Sequence, residues 1–183
     1  MKALVVYESL YGNTAVVGEA IAASLRAHGL EADAVPVSEI EVGKEIDVDL
    51  LVVGGPTHVH GMSTAGTRRT AVGDEKNTFH EPTLEPGLRS WLKQLRPGSG
   101  RLAAAFDTRF DKPVILTGSA AKGIGRRLGH RGFRLVAEPE SFLVSTQNRL
   151  LEGEVEHATL WGSELAQAAT DATPSGRVEA LAR

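Results

Sequence analysis

No cysteine occurs among the 183 residues. Disulfides, thiolate metal sites, iron–sulfur clusters and a cysteine nucleophile are excluded together, and a reducing compartment fits. No apolar run approaches the ~20 residues that a membrane-crossing helix needs, so no membrane insertion is expected. The chain also lacks a basic excess. Twenty Lys and Arg stand against 23 Asp and Glu, a formal charge of -3 with a sequence pI near 6.1, which provides no field to gather nucleic acid. After a single lysine the amino terminus enters a strand-like run, without the basic region, apolar core and small-residue cleavage site of a signal peptide. A soluble cytoplasmic protein is the expectation.

What is present suits one substantial core. Hydrophobic residues make up 42% and charged residues 23%, the balance of a globular domain, and a chain of this length buries roughly 70% of its extended surface. Lys2–Tyr7 reads K-A-L-V-V-Y, nearly continuously apolar, as does a strand covered on both faces. From Thr14 the period changes. Val17, Ala20, Ile21, Ser24 and Leu25 share a helical face that predicts a helix to about His28, stopped by Gly29. A weaker strand is expected over 31–37 and a clear one over Leu50–Gly54, closed by Gly54-Gly55-Pro56. Residues 57–86 carry little pattern. Leu88, Trp91, Leu92 and Leu95 restore a helical face before Pro97. Strands are expected at Leu102–Phe106 and Pro113–Thr117, a helix at Ala120–His130 and strand-like material at Phe133–Ala137. A last helix spans Leu151 to about Ala169, with Val155, Leu160, Leu165 and Ala169 on its buried side. Residues 171–183 read as a flexible tail behind a single domain of residues 1–170.

Strands alternating with helices predict a mostly parallel sheet covered on both faces. In such folds ligands lie outside the carboxyl ends of the strands, where strand order reverses. Three unusual polar segments, 9–14, 56–61 and 107–110, each follow a strand, so they should converge on one rim.

The first is Ser9-Leu10-Tyr11-Gly12-Asn13-Thr14. Hydroxyls, backbone N–H groups and the start of a helix can wrap an anion. Gly12 allows the turn, and Thr14 can cap the helix or meet a phosphate oxygen. It is neither a nucleoside-triphosphate loop nor a dinucleotide fingerprint; on local physics alone an ordinary capped turn also accounts for it. The second is Gly54-Gly55-Pro56-Thr57-His58-Val59-His60-Gly61-Met62, whose glycines permit close backbone approach. His58 and His60 at i,i+2 could suggest metal, but no cysteine or local carboxylate joins them, so no metal site is assigned. A ring packed near a ligand, or an exposed loop histidine, accounts for them better. The third is Phe106-Asp107-Thr108-Arg109-Phe110, where a solvated Asp–Arg turn is the plain alternative. Ser119 has no evident base or oxyanion donors, and no catalytic residue is assigned.

On these segments the chain resembles the flavodoxin family. That family's phosphate loop runs Ser/Thr, any residue, Ser/Thr, then Gly-Asn-Thr; Ser9, Gly12, Asn13 and Thr14 match, while Tyr11 departs from the usual hydroxyl residue. Gly54, Pro56, Thr57 and Gly61 match a G-x-P-T-x-x-x-G stretch beside the isoalloxazine. The third segment corresponds by position to the second flavin loop. The resemblance implies a flavodoxin-like three-layer α/β sandwich with a five-stranded parallel sheet in the order 2-1-3-4-5, and FMN as cofactor. It implies that residues 9–14 hold the phosphate and that a peptide at or before Gly61 faces flavin N5. It also implies that Pro56 to Gly61 and Asp107 to Phe110 flank the ring. Phe110 is the candidate stacking residue and Arg109 a candidate charge near N1 and O2. An electron carrier working with a redox partner protein is the first functional expectation. An NAD(P)H-dependent quinone or aromatic-compound oxidoreductase, using a small-molecule acceptor and walls built from residues 58–86, is the second. A flavin-free interaction domain is the third. Monomer and homodimer both remain open.

Overall fold

The computed structural model describes residues 1–58, 61–72 and 86–173, the side chains of 70–72 excepted. Strand β1 (Lys2–Tyr7) leads into α1 (Asn13–Ala27), followed by β2 (Glu31–Pro36) and β3 (Leu50–His58). A two-residue strand β4 (Gly61–Met62) folds back on the end of β3, pairing Thr57 with Met62 and His58 with Gly61. Then come α2 (Ala65–Val72), α3 (Leu88–Gln94), β5 (Leu102–Phe110), a single turn α4 (Val114–Thr117), α5 (Ala120–His130), β6 (Arg134–Leu135), β7 (Glu140–Val144) and α6 (Glu154–Ala172).

Strands β2, β1, β3 and β5 lie side by side, all parallel. With β3 along one edge of β5 from Leu102 to Thr108, the other edge is shared by β6 at its start and β7 at its end, both parallel to it. The five positions of the parallel sheet thus run 2-1-3-4-5, as expected. Alternation along each strand feeds two cores. Val5, Leu50, Val52 and Phe106 pack under α1 and α6, whereas Val6, Leu51, Val53 and Ala105 pack under α3 and α5. This period of two on a sheet covered on both faces produces the continuous apolar strands. The α1–α6 crossing is tight. A Cβ on Gly162 would lie 2.7 Å from the Ser24 Cβ, and the Ser24 hydroxyl donates to the Thr159 carbonyl at 2.6 Å.

Several expectations change. Pro113–Thr117 is not the fifth strand; it is the turn α4. Its Val-Ile pair has strand propensity, but β7 holds the edge of β5, and Gly118 at φ 71° closes the turn. The fifth position instead comes from Arg134–Leu135 and Glu140–Val144, interrupted around Pro139. The strands also outrun their apolar cores, β3 to His58 and β5 to Phe110, so the second and third polar segments are strand ends as well as loops. The poorly patterned stretch after Thr57 contains β4 and α2. In α6, Val155 and Leu160 are exposed, and Trp161, Leu165 and Ala169 form the buried side. Helix α6 runs to Ala172; the tail beyond 173 lies outside the described residues.

Candidate functional site

Three strand ends meet at one rim. The Glu8 N–H donates to the Gly54 carbonyl at 3.0 Å, carrying β1–β3 pairing one residue past Tyr7. The chain then turns into α1 through Gly12 at φ 85°, ψ −21°, a conformation costly for residues with a Cβ. Gly12 is the N-cap and has no side chain to offer. The fully buried Ser9 substitutes for it, its hydroxyl accepting from the Ala15 N–H at 3.2 Å. The N–H groups of Asn13 and Thr14 have no carbonyl partner within the helix, and no acidic residue occupies the first turn of α1. That helix start is suited to an anion.

Asn13 reaches across to the turn after β7. Its amide donates to the Asn148 carbonyl at 2.9 Å and accepts from the Leu150 N–H at 3.2 Å, tying the loop after β7 to the start of α1. Thr14 lies under the loop with its hydroxyl 2.8 Å from that of Thr108 on β5. One of the two donates to the other, so one hydroxyl proton remains for a further acceptor.

The glycines of the second segment answer to packing inside the protein. A Cβ on Gly54 would run into the Phe106 ring, and one on Gly55 would sit 2.6 Å from the Leu88 Cδ2. Close backbone approach is required there, but by these two side chains. Gly61 differs, since a Cβ there would meet no described residue within 4 Å. Thr57 donates to Asp107 Oδ2 at 2.9 Å and accepts from the Ala120 N–H at 2.8 Å. His58 has a buried Nε2 with no hydrogen-bond partner among the described residues. Burial lowers its pKa below the ordinary 6.5, against a smaller upward pull from the Glu8 carboxylate, so the ring is neutral at pH 7.

On β5 the side chains divide as a strand requires. Asp107 is fully buried and points to the start of α5, where Oδ2 also accepts from the Ser119 hydroxyl and the Ala121 N–H, each at 2.8 Å. It neither pairs with Arg109 nor lines the rim. Arg109 folds over the following turn, donating to the carbonyls of Phe110 at 3.2 Å and Lys112 at 2.7 Å, with its buried Nε unpartnered among the described residues.

Between these segments lies a pocket of about 190 Å³. Leu10, Tyr11, Asn13 and Thr14 line it from the first segment, Pro56, Thr57 and His58 from the second, and Thr108, Arg109 and Phe110 from the third. Ser9 and Gly12 stand behind the lining as supports, and Gly61 lies in β4 beside it. Val59 and His60 fall outside the described residues. Val144 and Asn148 complete the wall; nothing in the sequence marks them, because β7 and its turn are recognisable only once paired with β5. Among the described residues no group of three His, Asp or Glu could hold a metal ion.

A second cluster braces the rim and was not anticipated. Glu8, 1% exposed, receives the Ser63 hydroxyl on Oε1, the Leu88 N–H at 2.7 Å on Oε2, and the Arg68 guanidinium at 3.8 Å. One carboxylate so joins the end of β1, the residue after β4, α2 and the start of α3. Arg89 adds bonds to the carbonyls of Met62 at 2.8 Å and Ser63 at 3.4 Å. The available signal was a lone Glu directly after an apolar strand.

The residues fit FMN. The start of α1 and the spare Thr14/Thr108 proton suit a phosphate without a cation. The unpartnered nitrogens of His58 and Arg109, with the half-buried Tyr11 and the exposed Phe110, suit a planar ring bearing polar edges. No curated protein matches the chain in sequence. Among solved structures, it is similar to an archaeal flavodoxin (18% identity, 92% of this chain and 99% of that one, TM-score 0.64) and to oxidised flavodoxin 1 of Bacillus cereus (18%, 91% and 98%, 0.65). It is also similar to a WrbA-like flavodoxin of Agrobacterium tumefaciens (17%, 94% and 99%, 0.58). At these identities they speak for the fold. A family model described as flavodoxin matches residues 5–112, more than half of the chain. The protein therefore belongs to the flavodoxin family, whose membership implies an FMN-dependent redox role.

Proposed function

We propose that the protein is an FMN-dependent electron carrier serving a redox partner protein. The observation that carries this reading is the pairing of an uncharged, anion-ready start of α1 with a pocket mouth flanked by Phe110, 41% exposed. The first arrangement would hold a phosphate, and the second would leave the ring accessible to a partner. The chemistry FMN supplies when bound is reversible uptake of one or two electrons. The protein's part is binding and tuning. The N–H groups of Asn13 and Thr14 and the Thr14/Thr108 hydroxyl pair hold the phosphate. Phe110 would offer an aromatic face to the ring, and Arg109 would favour negative charge beside it. The Glu8 cluster fixes the β3–β4 pairing beside the pocket that would take the ring.

A second reading, an NAD(P)H-dependent oxidoreductase, has one observation in its favour. Arg89, Arg126 and Arg127 stand close enough that burial, with the neighbouring Arg89 and Arg126 charges, lowers the Arg127 pKa. None of the three has a carboxylate partner among the described residues. Such a cluster near Met62 could meet the phosphates of a nicotinamide coenzyme. Stopped-flow reduction separates the two readings. The carrier accepts electrons from a reductase protein far faster than from free NADH or NADPH. Rapid, saturable reduction by the free coenzyme, followed by repeated quinone turnover without added protein, overturns it.

A further inference from the structure

The turn after β5 exposes apolar surface that the fold does not use. Helix α4 has no buried residue; Val114 is 38% exposed, Ile115 87% and Leu116 63%. Single exposed apolar residues are ordinary, but a contiguous group rimmed by charge marks an interaction site. This group continues from Phe110, which also lines the pocket, so it is an extension of the pocket's lip.

The charge around it is the opposite of the chain's. The whole sequence is net negative. The segment from 108 to 122 nevertheless carries Arg109, Lys112 and Lys122 against Asp111 alone. Lys112 and Lys122 are exposed, and neither has an ion-pair partner among the described residues. Exposed Arg149 joins them from the neighbouring turn, which the Asp111 N–H contact with the Val144 carbonyl (3.0 Å) and the Ser145 N–H contact with the Arg149 carbonyl (2.8 Å) bring alongside.

We propose that Phe110 and the α4 turn, rimmed by Lys112, Lys122 and Arg149, form the docking surface for an acidic redox protein whose carboxylates surround an apolar contact. This rests on the electron-carrier reading. Local positive potential steers an acidic partner although the chain as a whole is anionic. The apolar turn then supplies a water-excluding contact beside the ring edge.

The test uses the full-length, isotope-labelled protein, titrated with an acidic [2Fe–2S] ferredoxin and separately with a basic c-type cytochrome. Amide shifts are followed at low and at physiological ionic strength, with FMN binding measured independently for every variant. Ferredoxin should shift residues 109–118 and 122 at low salt and weaken as salt rises, while the cytochrome leaves them unmoved. Lys112→Glu with Lys122→Glu should weaken the ferredoxin at least tenfold and admit the cytochrome. Ile115→Ser with Leu116→Ser should weaken it at both salt concentrations, and both pairs should keep wild-type FMN affinity. Shifts elsewhere, tighter binding of the cytochrome, unaltered affinity in the variants, or shifts at 114–116 that grow with protein concentration alone (a second copy) each overturn the proposal. Ferredoxin shifts at 109–122 in a protein that takes up no FMN support the surface and overturn the flavin reading instead.

Discussion

The hydroxyls of Thr14 and Thr108, 94 positions apart in sequence, lie 2.8 Å apart in the buried wall between α1 and β5. Together they need only one proton for that contact, and the spare one is available to a phosphate oxygen. Thr14→Val should thus weaken FMN by about 1.5–3 kcal/mol, the worth of a charge-assisted bond, and weaken riboflavin far less. Isothermal titration with both ligands checks this. Equal losses would place Thr14 in a packing role only.

Gly12 is constrained by its backbone conformation. At φ 85° a β-branched side chain is an outlier, with strain of about 1–3 kcal/mol. Gly12→Val should lower the melting temperature of the FMN-free protein and cost still more in FMN affinity, because the loop N–H groups lose their aim. A variant with wild-type affinity contradicts the loop geometry.

His58 imposes a pH dependence. Its folded-state pKa lies below the ordinary 6.5 of an unfolded chain, chiefly because of burial. As pH falls through 6.5 the unfolded state takes up a proton that the folded state refuses, so stability falls. The penalty is complete below the folded pKa and absent above 6.5. Denaturant unfolding of the FMN-free protein between pH 7.5 and 5 (about the range in which histidine titrates) should show a shallower loss for His58→Gln than for wild type. Parallel profiles would mean that His58 titrates as an exposed ring does.

Glu8 holds the hairpin through its charge. Glu8→Gln keeps the shape but leaves Arg68 without the carboxylate at 3.8 Å and weakens the cap on α3. A loss of about 1–3 kcal/mol in folding stability is expected, with an altered flavin potential in the loaded protein. Loss of stability with an unchanged potential would confine Glu8 to the scaffold.

The sequence disclosed those parts of the fold that local chemistry dictates. Lys2–Tyr7 and Leu50–Val53 are apolar on both faces because helices cover both, and Ser9 to Thr14 declared a turn into a helix. Val114-Ile115 misled because β propensity counts only where an edge is free, and β7 had taken it. Asp107 was legible as a polar strand end but not in its direction; strand alternation sends it to the start of α5 and leaves Thr108 to the rim. Glu8 was passed over because its partners, Ser63, Arg68 and Leu88, lie 55 to 80 positions away. Long-range pairing of that kind has no local signature.

The most direct test of the account is FMN itself, added to the purified, FMN-stripped protein and followed by visible absorbance and flavin fluorescence. The account expects saturable uptake at one FMN per chain, a yellow complex with quenched fluorescence, and a weaker complex with riboflavin because the start of α1 then holds nothing. A colourless protein that leaves added FMN free in solution would contradict it.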